Sequence, residues 1–171
     1  MTKAEAWVKE YGGAHGLTPR DAADGADFVM ACVGNDDDLR AVCLGEDGAF
    51  AGMPSGSVFV DHTTVSAKVT TELHDVAADA GIAFVDAPVS GGQAGAENGV
   101  LSVMCGGDAD AYAKAEPIID AYSKICRRIG DSGAGLGGAA GLLAQAVQDH
   151  DPKLLFITAV CWAIGCRQTL V

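Results

Sequence analysis

A chain of 171 residues, 49% hydrophobic and 20% charged, is long enough to enclose a core and too apolar to be disordered. Its formal net charge of −12 repels phosphate at long range, which excludes nucleic acid and anionic membranes as expected partners. The six cysteines (Cys32, Cys43, Cys105, Cys126, Cys161, Cys166) form no C-x-x-C pair and have no histidine at zinc-ligand spacing, so no metal site and a reduced, cytoplasmic protein are expected.

In chain order, Ala4, Trp7, Val8 and Tyr11 recur at helical spacing and stop at Gly12-Gly13. Thr18-Pro19-Arg20-Asp21 carries a cap, a proline suited to the first helical position and an acid, and predicts a short helix. Asp27 to Val33 is a continuous apolar run of the kind buried on both faces of a parallel sheet. Asp36 to Leu44 predicts a helix whose first-turn acids complement the helix dipole. Ser57 to Asp61 is the next strand, followed by a helix with Val69, Leu73, Val76, Ala77 and Ala80 on one face and Gly81 at its end. The strands Ile82 to Val89 and Val100 to Cys105 come next, then a helix marked by Ala111, Ala115, Ile118, Ile119 and Tyr122, and a strand at Ile125 to Ile129. Strands alternating with helices of this length predict an α/β fold with a mostly parallel sheet covered by helices. No N-terminal signal peptide is expected, and the apolar run Leu154 to Cys166 falls short of the roughly 20 residues of a membrane span.

The most informative stretch is Asp86 to Gly107, DAPVSGGQAGAENGVLSVMCGG. An apolar run ends at Asp86 and Pro88, breaks into Ser90-Gly91-Gly92, and resumes at Val100 to Met104. A serine hydroxyl beside two glycines, whose amides no side chain shields, suits a carboxylate; a simple tight turn is the alternative. Gly133 to Gly138 satisfies G-x-G-x-x-G, but no convincing strand carries an acid about 20 residues on, so a dinucleotide site is not expected there.

The wording DAPVSGG, the run Asp27 to Val33 with its acidic loop, and Val58 to Thr64 together resemble the β-hydroxyacid dehydrogenases, most closely the 3-hydroxyisobutyrate dehydrogenase branch. The resemblance runs from about Lys3 to Gly135. It implies a partial Rossmann-type domain over residues 1–135, lacking the first βαβ unit and the helical C-terminal domain, with residues 136–171 an unmatched tail. It implies NAD or NADP as cofactor, held at Val33, Gly34, Asp38 and Thr64, and a small hydroxy acid whose carboxylate meets Ser90, Gly91 and Gly92. For Thr64 a helix cap is an equal alternative.

The same resemblance places a catalytic Lys and Asn where this chain has Ala139 and Leu142. Alanine can neither donate nor accept the alcohol proton, so the isolated chain is expected to be inactive. Lys153 reads as a surface residue, and His62, His74 and His150 as surface or local hydrogen-bonding residues. A non-enzymatic carboxylate-binding or interaction module is the alternative reading, and nucleotide binding by Gly133 to Gly138 a third. The abrupt change at Leu136 is expected to mark a frame slip or a junction with foreign sequence. Exposed strand edges predict self-association or a homo-oligomer.

Overall fold

The computed structural model describes residues 3–136. These form α1 (Lys3–Tyr11), α2 (Pro19–Ala23), β1 (Phe28–Ala31), α3 (Asp36–Cys43), α4 (Ala49–Gly52), β2 (Val58–Asp61), α5 (Ala67–Asp79), β3 (Ala83–Asp86), β4 (Val89–Ser90), α6 (Gly92–Glu97), β5 (Leu101–Gly106), α7 (Ala109–Ile119) and β6 (Ser123–Gly130). Ala139, Leu142, Lys153 and the tail lie outside the described residues.

Local chemistry sets the helix starts. Thr18 Oγ1 accepts from the Asp21 amide, Asn35 Oδ1 from the Asp37 and Asp38 amides, and Ser66 Oγ from the Val69 amide, each satisfying donors that the first helical turn leaves unpaired. Asp36 then accepts from both the amide and the hydroxyl of Ser66, and the Arg40 guanidinium grips Glu72 through two nitrogens at 2.8 to 3.1 Å. These contacts fasten α3 to α5.

Strands β1, β2 and β3 are parallel neighbours, and their last residues share one row: Ala31 beside Asp61, and Asp61 beside Asp86. Strand β5 runs antiparallel to β3 and β4, pairing Asp86 with Gly106, Val89 with Val103 and Ser90 with Ser102. Between them the Met104 amide donates to the Pro88 carbonyl at 3.2 Å. β3 and β4 are therefore one line of backbone in a single register against β5, interrupted where proline has no N–H to give. β6 pairs with β5 in parallel.

The sheet is thus more mixed than the strand and helix alternation implies. The link between β4 and β5 holds only the short α6, where a parallel return needs a crossover of a dozen or more residues. The chain accordingly doubles back.

Alternation along β2 and β3 feeds two cores, one on each face. On one side Phe59 stacks on Phe84 at 5.5 Å and meets Phe50 edge-on, closed over by Leu39, Leu73 and Val69. On the other, Val58, Val60, Val85 and Val103 pack against Ala111, Ala115 and Ile119 of α7. Burying each large apolar side chain contributes about 1.5–3 kcal/mol before the entropy of ordering it.

Three expectations need correction. The run at Asp27 to Val33 is not buried on both faces: among the described residues β1 pairs only with β2, and Met30 is 38% exposed. Val76 does not share the buried face of α5, which holds Val69, Thr70, Leu73 and Ala77; at 40% exposure it has rotated past the stripe. The apolar positions of α1 find no core, since Trp7 and Tyr11 are more than half exposed and touch each other at 5.5 Å.

Candidate functional site

The carboxyl ends of β1, β2 and β3 deliver three segments to one edge of the sheet: residues 32–35, 62–66 and 87–92. The first two are sewn together. Asp61 Oδ1 accepts from the Thr63 amide at 2.9 Å, and Thr63 Oγ1 accepts from the Val33 amide at 3.0 Å. Val33 is buried while Gly34 is exposed, so the tie holds the base of the loop and leaves its tip open.

Asp61 is 1% exposed, and burial pushes its carboxyl up to about 6, against the pull of the Thr63 hydrogen bonds and with a further push from Asp86. Asp86, equally buried, is also raised above the ordinary carboxylate range, chiefly by burial. Neither was singled out from the sequence. A signal was there: both strands are apolar runs ending in the same residue, Val58-Phe-Val-Asp61 and Ala83-Phe-Val-Asp86.

His62 is half-buried with both ring nitrogens engaged, so it is the local hydrogen-bonding residue, not the surface one. Nδ1 lies 2.6 Å from the Ala87 carbonyl and Nε2 2.8 Å from the Tyr122 hydroxyl. A carbonyl only accepts, so Nδ1 carries the proton and Nε2 accepts from Tyr122. Burial holds the histidine pKa below its ordinary value, which keeps this neutral tautomer. His62 thereby clamps the backbone that leads into Ser90.

Ser90 itself is the last residue of β4 and is 8% exposed. The reversal occurs at Gly91, with φ +129°, and Gly92 opens α6 with φ +59°. The Gly91 backbone angle favours glycine, and a Cβ there would meet Leu101 Cδ2 at 3.0 Å, so the leucine side chain would have to give way. Thr64 is exposed, one residue beyond the Thr63 that ties this segment to Val33. The backbone amide of Asp38 donates to Asn35 Oδ1, and its carboxylate accepts from Asn35 Nδ2 at 2.8 Å, which makes Asp38 part of the α3 cap.

The turn at Gly133 is already filled. Asp86 Oδ1 accepts the Gly133 amide at 2.7 Å and the Ala134 amide donates to the Asp131 carbonyl, while Asp86 Oδ2 is buried without a hydrogen-bond partner among the described residues. A Cβ on Gly135 would fall 2.5 Å from the Met104 carbonyl oxygen. The Gly133 and Ala134 amides are thus spent on the protein's own oxygens and are not free to cradle a phosphate in that part of the G-x-G-x-x-G pattern.

A parallel strand set with loops gathered at its carboxyl ends defines the Rossmann-type class, in which ligands bind outside those ends. The profile of the NAD binding domain of 6-phosphogluconate dehydrogenase matches residues 1–130, and the chain belongs to that NAD-binding family, which includes the 3-hydroxyisobutyrate dehydrogenases. It is 55% identical over 133 residues to a protein of Shewanella frigidimarina described only as an oxidoreductase, covering 78% of this chain and 46% of that one. It is 37% identical over 116 residues to the NAD-dependent L-serine dehydrogenase of Pseudomonas aeruginosa, covering 68% and 39%. With the 3-hydroxyisobutyrate dehydrogenase of the same species it shares 30% over 168 residues, covering 90% and 56%. That alignment takes in more of the chain than residues 1–135 and so continues past Gly135. The crystal structure of a Mycobacterium avium 104 protein, again described as an oxidoreductase, superposes with a TM-score of 0.76 at 28% identity, covering 88% and 53%. The chain spans about half the length of the curated relatives it matches.

Proposed function

We propose that residues 3–136 supply part of the cofactor and carboxylate sites of a 3-hydroxyisobutyrate dehydrogenase-like enzyme, and that this chain alone does not turn over. The observation that carries the reading is the convergence of residues 32–35, 62–66 and 87–92 on one sheet edge, with the Ser90 turn held in place by His62 and by β5. Val33, Gly34, Asp38 and Thr64 are assigned to the ribose side of NAD or NADP. The donor set fits that part of the cofactor: the acids of α3 and the Thr64 hydroxyl can accept sugar hydroxyls. It does not fit the diphosphate, which three first-turn carboxylates repel. Bound NAD or NADP would take the hydride from the alcohol carbon of the substrate. Ser90, Gly91 and Gly92 are assigned to the substrate carboxylate.

Inactivity follows from Ala139 and Leu142 standing where the resemblance puts Lys and Asn, since general acid–base help contributes roughly 10²- to 10⁴-fold. The test is an assay of the purified chain with 3-hydroxyisobutyrate or L-serine and either NAD or NADP. No turnover is expected; a rate within about 1 to 10³ per second overturns the reading. The complete Ser90 turn favours one second reading, a carboxylate-binding module. It requires that 3-hydroxyisobutyrate without cofactor shift the amide resonances of Ser90 to Gly92. The change of composition at Leu136 is proposed as a junction, to be checked by translating the other frames of the coding DNA past Gly135. Among the described residues no helix is long and apolar enough to cross a membrane; a cytoplasmic location is proposed on the cysteine usage of the sequence.

A further inference from the structure

Cys105 on β5 and Cys126 on β6 face each other across the paired strands with their sulfurs 3.7 Å apart. Cys105 is fully buried at the floor of the α7 core, while Cys126 is only partly buried above it. The pair lies outside the candidate site, and nothing in the proposed dehydrogenase reading uses it. We propose that Cys105 and Cys126 form a reversible redox pair, in which Cys126 takes up a hydroperoxide and Cys105 resolves the product to a disulfide.

The surroundings divide the roles. The two sulfurs share one hydrogen-bond contact in which either can donate, while the Tyr112 hydroxyl donates to Glu116 Oε1 at 2.5 Å and lies 3.4 Å from the Cys126 carbonyl oxygen; with Cys105 as the donor, that contact holds the Cys126 thiol below its ordinary pKa against the effect of burial. The same contact, together with burial, pushes Cys105 up. One sulfur is thus prepared as the nucleophile and the other is kept as a thiol behind it, the arrangement that oxidant-sensing cysteines require.

The chemistry balances with the hydroperoxide as oxidant. The Cys126 thiolate attacks the terminal peroxide oxygen, the O–O bond breaks, and Cys126 becomes a sulfenic acid while the departing oxygen takes up a proton as water or an alcohol. The Cys105 sulfur then attacks the Cys126 sulfur, the S–O bond breaks, and hydroxide leaves with the Cys105 proton as water. Two thiols have lost two electrons and two protons, and the hydroperoxide has been reduced.

Register says what closure does to the sheet. Cys126 stands opposite Val103 and Cys105 opposite Arg128, so the thiols are diagonal neighbours, which start farther apart than the roughly 2.05 Å bond prefers. Forming it must draw β6 along β5. β6 is paired on one side only among the described residues, and the ladder already shifts register at Leu101/Ser102 and Cys105/Gly106, so the strand has room to follow. A bond made against the register is readily reduced.

The test treats the full chain with hydrogen peroxide, alkylates the remaining thiols and maps peptides by mass spectrometry. Cys105 and Cys126 should become protected together in one cross-linked peptide pair that dithiothreitol releases. If both stay alkylatable after the exposed Cys32 has been oxidised, the proposal fails. A Cys105→Ser variant keeps a donor toward Cys126 but cannot resolve it, so Cys126 should accumulate as a sulfenic acid trapped by a cyclic dione, several-fold above the wild type. Equal trapping in both proteins would show that Cys105 is not the resolving thiol.

Discussion

At the scale of single residues the buried acids dominate. Asp61, with its carboxyl pushed up to about 6, binds a proton more tightly in the fold than in the unfolded chain, where an aspartate titrates near 3.9. Its contribution to stability is therefore fully present below about pH 4 and lost as the pH rises to about 6, where ionisation must occur inside the protein. The expected loss is about 2–3 kcal/mol, read from urea unfolding across that range, and Asp61→Asn should flatten the curve. An unchanged pH profile in the variant would assign the effect to another group. Gly91→Ala tests the turn beside it: a positive φ and a 3.0 Å approach to Leu101 together predict a cost of about 1–3 kcal/mol. Circular dichroism melts will show whether the turn bears that strain. His62 gives a third measurement. Tyr122→Phe leaves its Nε2 without the hydroxyl donor, which should cost about 1–3 kcal/mol and shift the imidazole ¹⁵N resonances; an unmoved spectrum would rule out the tautomer assigned to it.

At the scale of elements, the loop that holds Gly133 depends on Asp86. Gly135→Ala would drive a Cβ into the Met104 carbonyl, so residues 131–136 should detach while the sheet stays folded. Hydrogen exchange at the Gly133 amide should rise to that of an open loop without a matching rise at Val85. Much of this level was legible in the sequence. Thr18, the acids of Asp36 to Asp38 and Gly81 mark helix boundaries through chemistry confined to a few neighbouring residues, and the structure places boundaries there. What the sequence did not disclose depends on residues far apart. That Met30 would be exposed turns on β1 having one neighbour among the described residues, and that α6 would form between Gly91 and Val100 turns on a doubling-back of the chain which no periodicity records. The inward pointing of Asp86 toward Gly133, 47 positions away, belongs to the same kind. The segments of the candidate site were legible as DAPVSGG and the two strand ends; the His62 clamp and the Asp61–Thr63–Val33 chain were not.

At the scale of the whole molecule the unpartnered surface is the leading feature. Among the described residues β1 pairs with β2 alone, which leaves its other edge open, and Trp7, Tyr11, Leu17 and Met30 are exposed. Such an edge pairs with other edges. Sedimentation velocity of the purified chain should show concentration-dependent association, reduced by Met30→Lys; a monomer at all concentrations would mean that this surface is covered from within the chain. The shared register of β3 and β4 has a different kind of consequence. Because Asp86, Pro88 and Ser90 all answer to fixed partners on β5, the distance between the buried acid and the Ser90 turn is counted in rungs and cannot drift. Substitutions can accumulate along Asp86 to Ser90, but a single inserted or deleted residue would invert every side chain beyond it. Length in this stretch is therefore inherited as a whole number, and a graft of the turn onto another sheet would have to bring β5 along.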